Sequence, residues 1–331
     1  MGIVLGLLPV LVFLAILLYI DSYALVALKD VLITIAVGCG VACVALLINS
    51  LLIGAIGLSI AAYTRYMAPV IEESLKAAFL FYLLRNNRIG FMVDAAIRGF
   101  AIGAGFALLE NIFKLYQRPD ADLYLWIIRG FGTAVMHGGT TAILGIITKQ
   151  LMERFPERRI IAIIPGWVAA VAIHSLFNHF LLSPEHTTIL ILLVLPVLIA
   201  VTFRQSEKAT QNWLGIGFDS DRLLLDMITS GTLAENRIGQ YLHALQDKFP
   251  GETVADMLCY LRVHLELSIR AKGLLLMREA GFEVPPDPEV RAQFDELIFL
   301  DKSIGKTGKL ALHPFLHTRS KDLWQMTMLQ T

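Results

Sequence analysis

Apolar residues fill the first two hundred positions in blocks separated by short polar stretches. A helix needs roughly 20 mainly apolar residues to cross a hydrocarbon core of ~30 Å. Seven blocks qualify, at about 3–20, 31–62, 67–84, 91–115, 123–149, 160–182 and 187–203. The second is too long for one upright helix. It either tilts or breaks near Asn49–Ser50 into two shorter pieces, which would make eight spans. The first lacks a basic leading segment and a small-residue cleavage site, so it reads as a retained span and not a signal peptide. Beyond Arg204 the pattern changes to amphipathic helical periodicity, as in 252–280, closed by Gly281 and followed by helix-breaking prolines at 285 and 288. The expected fold is all-α: a polytopic transmembrane helical bundle over residues 1–204, then a small helical cytoplasmic domain over 205–331.

Composition sharpens this division. Hydrophobic residues make up 56%, charged residues 17%, and mean hydropathy is +0.64; a soluble domain carries about 25% charged residues. Eleven of the 28 acids fall in residues 1–204, and the other 17 crowd into 205–331. A net charge of zero leaves no basic footprint for nucleic acid. Cys39, Cys43 and Cys259 lack CxxC spacing, which suggests neither a disulfide framework nor a cysteine-based zinc site. Arg85 and Arg88 follow the third block, Lys149, Arg154, Arg158 and Arg159 the fifth, and Arg204 and Lys208 the seventh. By the positive-inside rule these ends, and the C-terminal region with them, face the cytoplasm. The loops near 117–122 and 183–187 then face outward. That orientation suits a bacterial inner (plasma) membrane. The N-terminus is outside with seven spans and inside with eight.

Ionisable groups inside a bilayer cost several kcal/mol and are functional candidates by default. Glu72 and Glu73 are adjacent, early in the third block, and two carboxylates at that depth cannot both be ionised cheaply. Lys76 lies one helical turn on and can neutralise one of them. Glu110 and Asn111 end the fourth block, whose Gly99, Gly103 and Gly105 allow close helix approach. His137 sits beside Gly138 and Gly139. His174 and Asn178, at i and i+4, share one helix face. Asp94 and Arg98 read as a self-neutralising structural pair, and Arg129 as a residue that reaches outward to the membrane surface. His313 and His317 flank Pro314 without further ligands nearby and suggest no site.

With upright helices rising 1.5 Å per residue, Glu73 lies ~9 Å, Glu110 ~8 Å, His174 ~12 Å and Asn178 ~6 Å below the outer boundary. His137 comes out deeper, at ~20 Å. Four helices thus aim polar groups at one outer-leaflet layer. Such a set can activate water on a peptide carbonyl in two ways. In one, Glu72 or Glu73 takes the proton while His174 and Asn178 stabilise the oxyanion. In the other, Glu110, His137 and His174 hold zinc with Glu73 as base. The missing close HxxxH pair and the ~12 Å depth spread favour the metal-free arrangement, with no cofactor. There is no HExxH helix, no GxGD aspartate and no GxSxG serine, which disfavours the other intramembrane protease chemistries. A proton-coupled transporter or channel, or a catalytically silent scaffold presenting the C-terminal domain, remains the alternative.

EESLK at 72–76 resembles the EExxK motif of PrsW proteases, and FALLEN at 106–111 resembles their FxxxEN. His137 and HSLFN at 174–178 resemble their later histidine motifs, in the same order on successive spans. The likeness covers about residues 66–182 and extends to the wider clan of CAAX prenyl proteases and bacteriocin-processing enzymes. It implies an intramembrane endopeptidase acting on membrane-anchored proteins, in some relatives an anti-sigma factor during stress signalling. By motif match it implies Glu72, Glu73, Glu110, His137, His174 and Asn178 as site residues. The C-terminal region lies outside the likeness and is expected to bind a cytoplasmic regulatory partner.

Overall fold

The computed structural model describes residues 1–118, 120–179, 181–235, 237–282, 284–285, 287–316 and 320–329, so His317 falls outside the described residues. The described residues form helices and loops without a strand. They cluster into two compact units, Met1–Glu207 and Lys208–Thr331.

The first unit opens with α1 (Gly2–Tyr19) and α2 (Leu28–Ala55). Helix α2 runs through Asn49–Ser50 unbroken. It ends instead before Gly57, whose φ of +70° suits a residue without a Cβ. Ser59 then caps a single turn, α3 (Ile60–Ala62), by accepting the Ala62 amide. A π-turn, Tyr63–Met67, leads into α4 (Ala68–Arg85), with Pro69 in its first turn. Helix α5 (Met92–Gln117) follows, then α6 (Leu123–Ile127), a second π-turn (Ile128–Thr133) and α7 (Ala134–Arg154) in one continuous rod. Helix α8 spans Ile163–His179 and α9 spans Pro184–Thr229.

Five of these helices are long and apolar enough to cross a membrane: Gly2–Tyr19, Leu28–Ala55, Met92–Gln117, Leu123–Arg154 and Pro184–Thr229. Helices α4 and α8, of 18 and 17 residues, carry Glu72, Glu73, Lys76, His174 and Asn178 and are the remainder of the seven expected blocks. Large apolar side chains such as Ile3, Leu8, Leu47, Leu51, Leu193 and Val197 point outward from α1, α2 and α9. In lipid such faces need no cover.

Helix α5 is the buried axis of this unit. Its Gly103 and Gly105 make that position possible. A Cβ on Gly103 would stand 2.1 Å from the His137 carbonyl oxygen on α7, and one on Gly105 would stand 2.1 Å from that of Ile35 on α2. Only glycine lets these backbones meet. The contact draws the α7 backbone at His137 against the middle of α5.

The second unit contains the end of α9, then α10 (Arg237–Leu245), α11 (Gly251–Glu279), α12 (Pro288–Leu312) and α13 (Ser320–Leu329). Gly281 follows α11 at φ +81°, the left-handed stop that the sequence suggests. Met257, Leu261, Leu267, Ile304 and Leu312 belong to its apolar core.

Candidate active site

Proline in its first turn starts α4 immediately before the acidic pair, and successive residues of a helix point about 100° apart. Glu72 and Glu73 therefore leave α4 in different directions. Glu73 is fully buried. Its Oε1 accepts from Lys76 Nζ at 2.8 Å and lies 2.8 Å from His174 Nδ1 on α8. Its Oε2 is buried with no hydrogen-bond partner among the described residues. Lys76 is equally buried. Its ammonium is 2.9 Å from His137 Nδ1 and 4.3 Å from the centre of the Phe106 ring.

His137 is held on both sides. Its Nε2 lies 3.0 Å from Glu110 Oε2 on α5, and its ring meets that of His174 edge-on with centroids 4.8 Å apart. Glu110 also accepts from Arg129 Nη2 at 3.0 Å. The Arg129 Nε donates to Asn111 Oδ1 at 2.8 Å, and Asn111 Nδ2 donates to the Gly6 carbonyl at 2.7 Å. Arg129 thus turns inward to the carboxylate and not outward to the membrane surface, because Glu110 and Asn111 together offer it two acceptors. Asn111 ties α1 to this arrangement.

Glu72 is the partly open member of the pair, its side chain 14% exposed. Oε1 accepts from Asn49 Nδ2 at 3.1 Å, and Oε2 lies 3.9 Å from His174 Nε2. That gap is too long for a direct hydrogen bond. One shared water or one ion can bridge it.

The ~12 Å depth spread between Glu110 and His137 does not survive, since the two side chains touch. Upright helices with common ends were the wrong geometry: Leu123–Arg154 is 32 residues long and contains a π-turn, whereas α5 has 26. Glu72, Glu73, Glu110, His137 and His174 come together. Asn178 does not join them. Its Nδ2 donates to the Thr64 carbonyl at 2.9 Å, in the π-turn before α4. The Asp94–Arg98 pair lies elsewhere, at 2.8 Å, and reaches Asp30 as well. Asn49, Tyr63 and Arg129 are the residues whose contacts the sequence pattern conceals.

A metal fits this donor set in several respects. Glu72, His137 and His174 each offer one ligand atom, all within 4.8 Å of one another. Two imidazoles and a carboxylate with room for water are a set that binds catalytic zinc. Tetrahedral ligands at ~2.1 Å stand ~3.4 Å apart, so closure from 4.8 Å asks for a contraction of up to about 1.4 Å. Glu73 behind His174 Nδ1 is the outer partner that a metal-bound histidine usually has. His137 is the member of the set already held at both nitrogens, by Lys76 and Glu110, so ligation through it displaces one contact.

The site is therefore a buried assembly of carboxylates and imidazoles inside an apolar helical bundle. Residues 27–202, just over half of the 331, match the family described as PrsW family intramembrane metalloprotease, and the chain belongs to that family. No curated protein and no solved structure matches it.

Proposed function

We propose that the chain is an endopeptidase that hydrolyses membrane-anchored protein substrates within the bilayer, with Glu72, His137 and His174 holding a zinc ion. The observation that carries this reading is the convergence of those three side chains, from α4, α7 and α8, on one point. When bound, zinc supplies Lewis acidity and a water that ionises near neutral pH. Glu73 fixes the His174 ring through Nδ1 and leaves Nε2 directed at Glu72. Its second oxygen is the proton acceptor for water. Lys76 balances the charge of Glu73, and Glu110 with Arg129 holds His137.

A metal-free route is the second reading, and one contact favours it. The Lys76 ammonium, 2.8 Å from Glu73 and 2.9 Å from His137, already places a cation among these groups. Glu72 or Glu73 would then activate water unaided. Asn178, bonded to the Thr64 carbonyl, supports the fold beside the site in either reading.

Catalysis belongs to the first unit. The helical second unit serves regulation or partner binding, and the loop charges favour its placement in the cytoplasm. Seven spans are preferred, counting α4 and α8 with the five more apolar helices. The substrate class is a membrane-anchored protein, such as an anti-sigma factor or another signalling protein. The test compares the membrane proteomes of cells carrying the wild-type chain and the Glu73→Gln variant. Full-length substrates should accumulate in the variant and their fragments should appear only with the wild type. Identical proteomes, with no cleavage by the purified chain in proteoliposomes, would overturn the assignment.

A further inference from the structure

Glu72 differs from its neighbours in how it is held. Glu73 and Glu110 each face a cation, Lys76 and Arg129. The hydrogen bond that fixes Glu72 comes from a neutral amide, Asn49 Nδ2 on α2, at 3.1 Å to Oε1. That bond occupies one oxygen and aims the other, Oε2, at His174 Nε2. An amide directs the carboxylate without neutralising it. A lysine or arginine in the same place would compete with anything Glu72 is to bind.

The amide itself has a defined orientation. The Tyr63 hydroxyl donates to Asn49 Oδ1 at 2.9 Å, so the NH2 group must be the end that faces Glu72. Tyr63 is almost fully buried (1% exposed), and it opens the π-turn Tyr63–Met67. Single π-turns of this kind are frequent at functional sites. Here the turn is braced from α8. Asn178 Nδ2 donates to the Thr64 carbonyl at 2.9 Å, and Ser175 Oγ donates to that of Arg65 at 2.6 Å.

We infer that Tyr63 and Asn49 form a positioning relay, held by Asn178 and Ser175, that sets the direction of the Glu72 carboxylate toward His174. Neither Asn49 nor Tyr63 touches the reacting atoms. Both act through Glu72. The relay rests on the proposed role of Glu72, and it gives Asn178 a task away from the carboxylates: it keeps the π-turn in register with α8, on the same helix that carries His174.

The probe is cobalt(II), titrated into the purified full chain in detergent micelles, with affinity read by competition against a chromophoric chelator. Removing an outer partner of a metal ligand weakens binding about 10- to 100-fold. Asn49→Ala should fall in that range and alter the cobalt absorption spectrum. Tyr63→Phe, which keeps the ring, should give a smaller loss. The double variant should be no weaker than Asn49→Ala alone, since Tyr63 acts only through Asn49. Asn49→Gln, which keeps the donor, should recover part of the affinity. Wild-type-like affinity and spectrum in Asn49→Ala, or additive losses in the double variant, would overturn the relay while leaving the zinc reading intact. If the wild type binds no cobalt, the zinc reading fails. The relay is then judged on cleavage of the substrate that accumulates in Glu73→Gln cells: a lower kcat at unchanged KM in Asn49→Ala, non-additive with Tyr63→Phe, supports it, and unchanged kcat refutes it. A wild type that neither binds cobalt nor cleaves sinks both.

Discussion

Replacing Glu73 by Gln tests the centre of the site and the fold around it together. The substitution keeps the side-chain shape but removes the anion that Lys76 and His174 share at 2.8 Å each. Both Glu73 and Lys76 are fully buried. Removing one partner of such a pair destabilises by about 3–5 kcal/mol, because the other charge stays behind without its counterion. The Gln amide still offers one acceptor, and His137 Nδ1 still faces Lys76 at 2.9 Å, so the lower figure, about 3 kcal/mol, applies. That is roughly a 100-fold change in the folding equilibrium. Lys76→Met in the Glu73→Gln background removes the stranded ammonium and should return most of the loss. Cleavage behaves differently. Losing a group that accepts the water proton lowers turnover by about 10²- to 10⁴-fold, and the double variant restores the fold without restoring that group. Reversible unfolding in mixed micelles reads the first effect, and cleavage in proteoliposomes reads the second. A Glu73→Gln protein as stable as wild type would show that Lys76 does not depend on this counterion, and a double variant that cleaves normally would show that Glu73 is not the proton acceptor.

Gly103→Val should drive α5 from α7, since even a Cβ would stand 2.1 Å from the His137 carbonyl. A destabilisation of at least 1–3 kcal/mol, on the order expected for overpacking, should appear as loss of monodisperse protein in detergent, and normal yield with normal activity would contradict the close approach. Topology is open to cysteine-accessibility labelling: a cysteine at Glu185 should react from outside the cell and one at Arg158 from the cytoplasm. Labelling of position 185 from the cytoplasmic side would invert the bundle.

Much of the architecture was legible because lipid imposes a simple rule. The apolar blocks at 67–84 and 91–115 correspond closely to Ala68–Arg85 and Met92–Gln117, and the amphipathic stretch 252–280 to Gly251–Glu279. Charged groups within apolar blocks marked Glu72, Glu73, Glu110, His137 and His174, which the structure gathers. What escaped was set by geometry between helices. Asn49 looked like a break in α2, and nothing local shows that it reaches Glu72 across an intervening turn. Arg129 looked like a surface anchor because its two acceptors lie on another helix. The depth of His137 was misplaced because a rod with a π-turn does not share its ends with α5. Asn178 shares a helix face with His174, but one turn along α8 is enough to carry it from the carboxylates to the Thr64 carbonyl.

On the proposed function, Glu72, His137 and His174 hold a catalytic metal. Elemental analysis of the purified chain, before and after exhaustive chelation and with cleavage followed in parallel, tests it directly. One zinc per chain is expected, lost in His174→Ala, with activity abolished by chelation and regained on adding zinc back. Full activity after chelation, in protein without stoichiometric metal, would contradict the claim and leave the carboxylates to activate water alone.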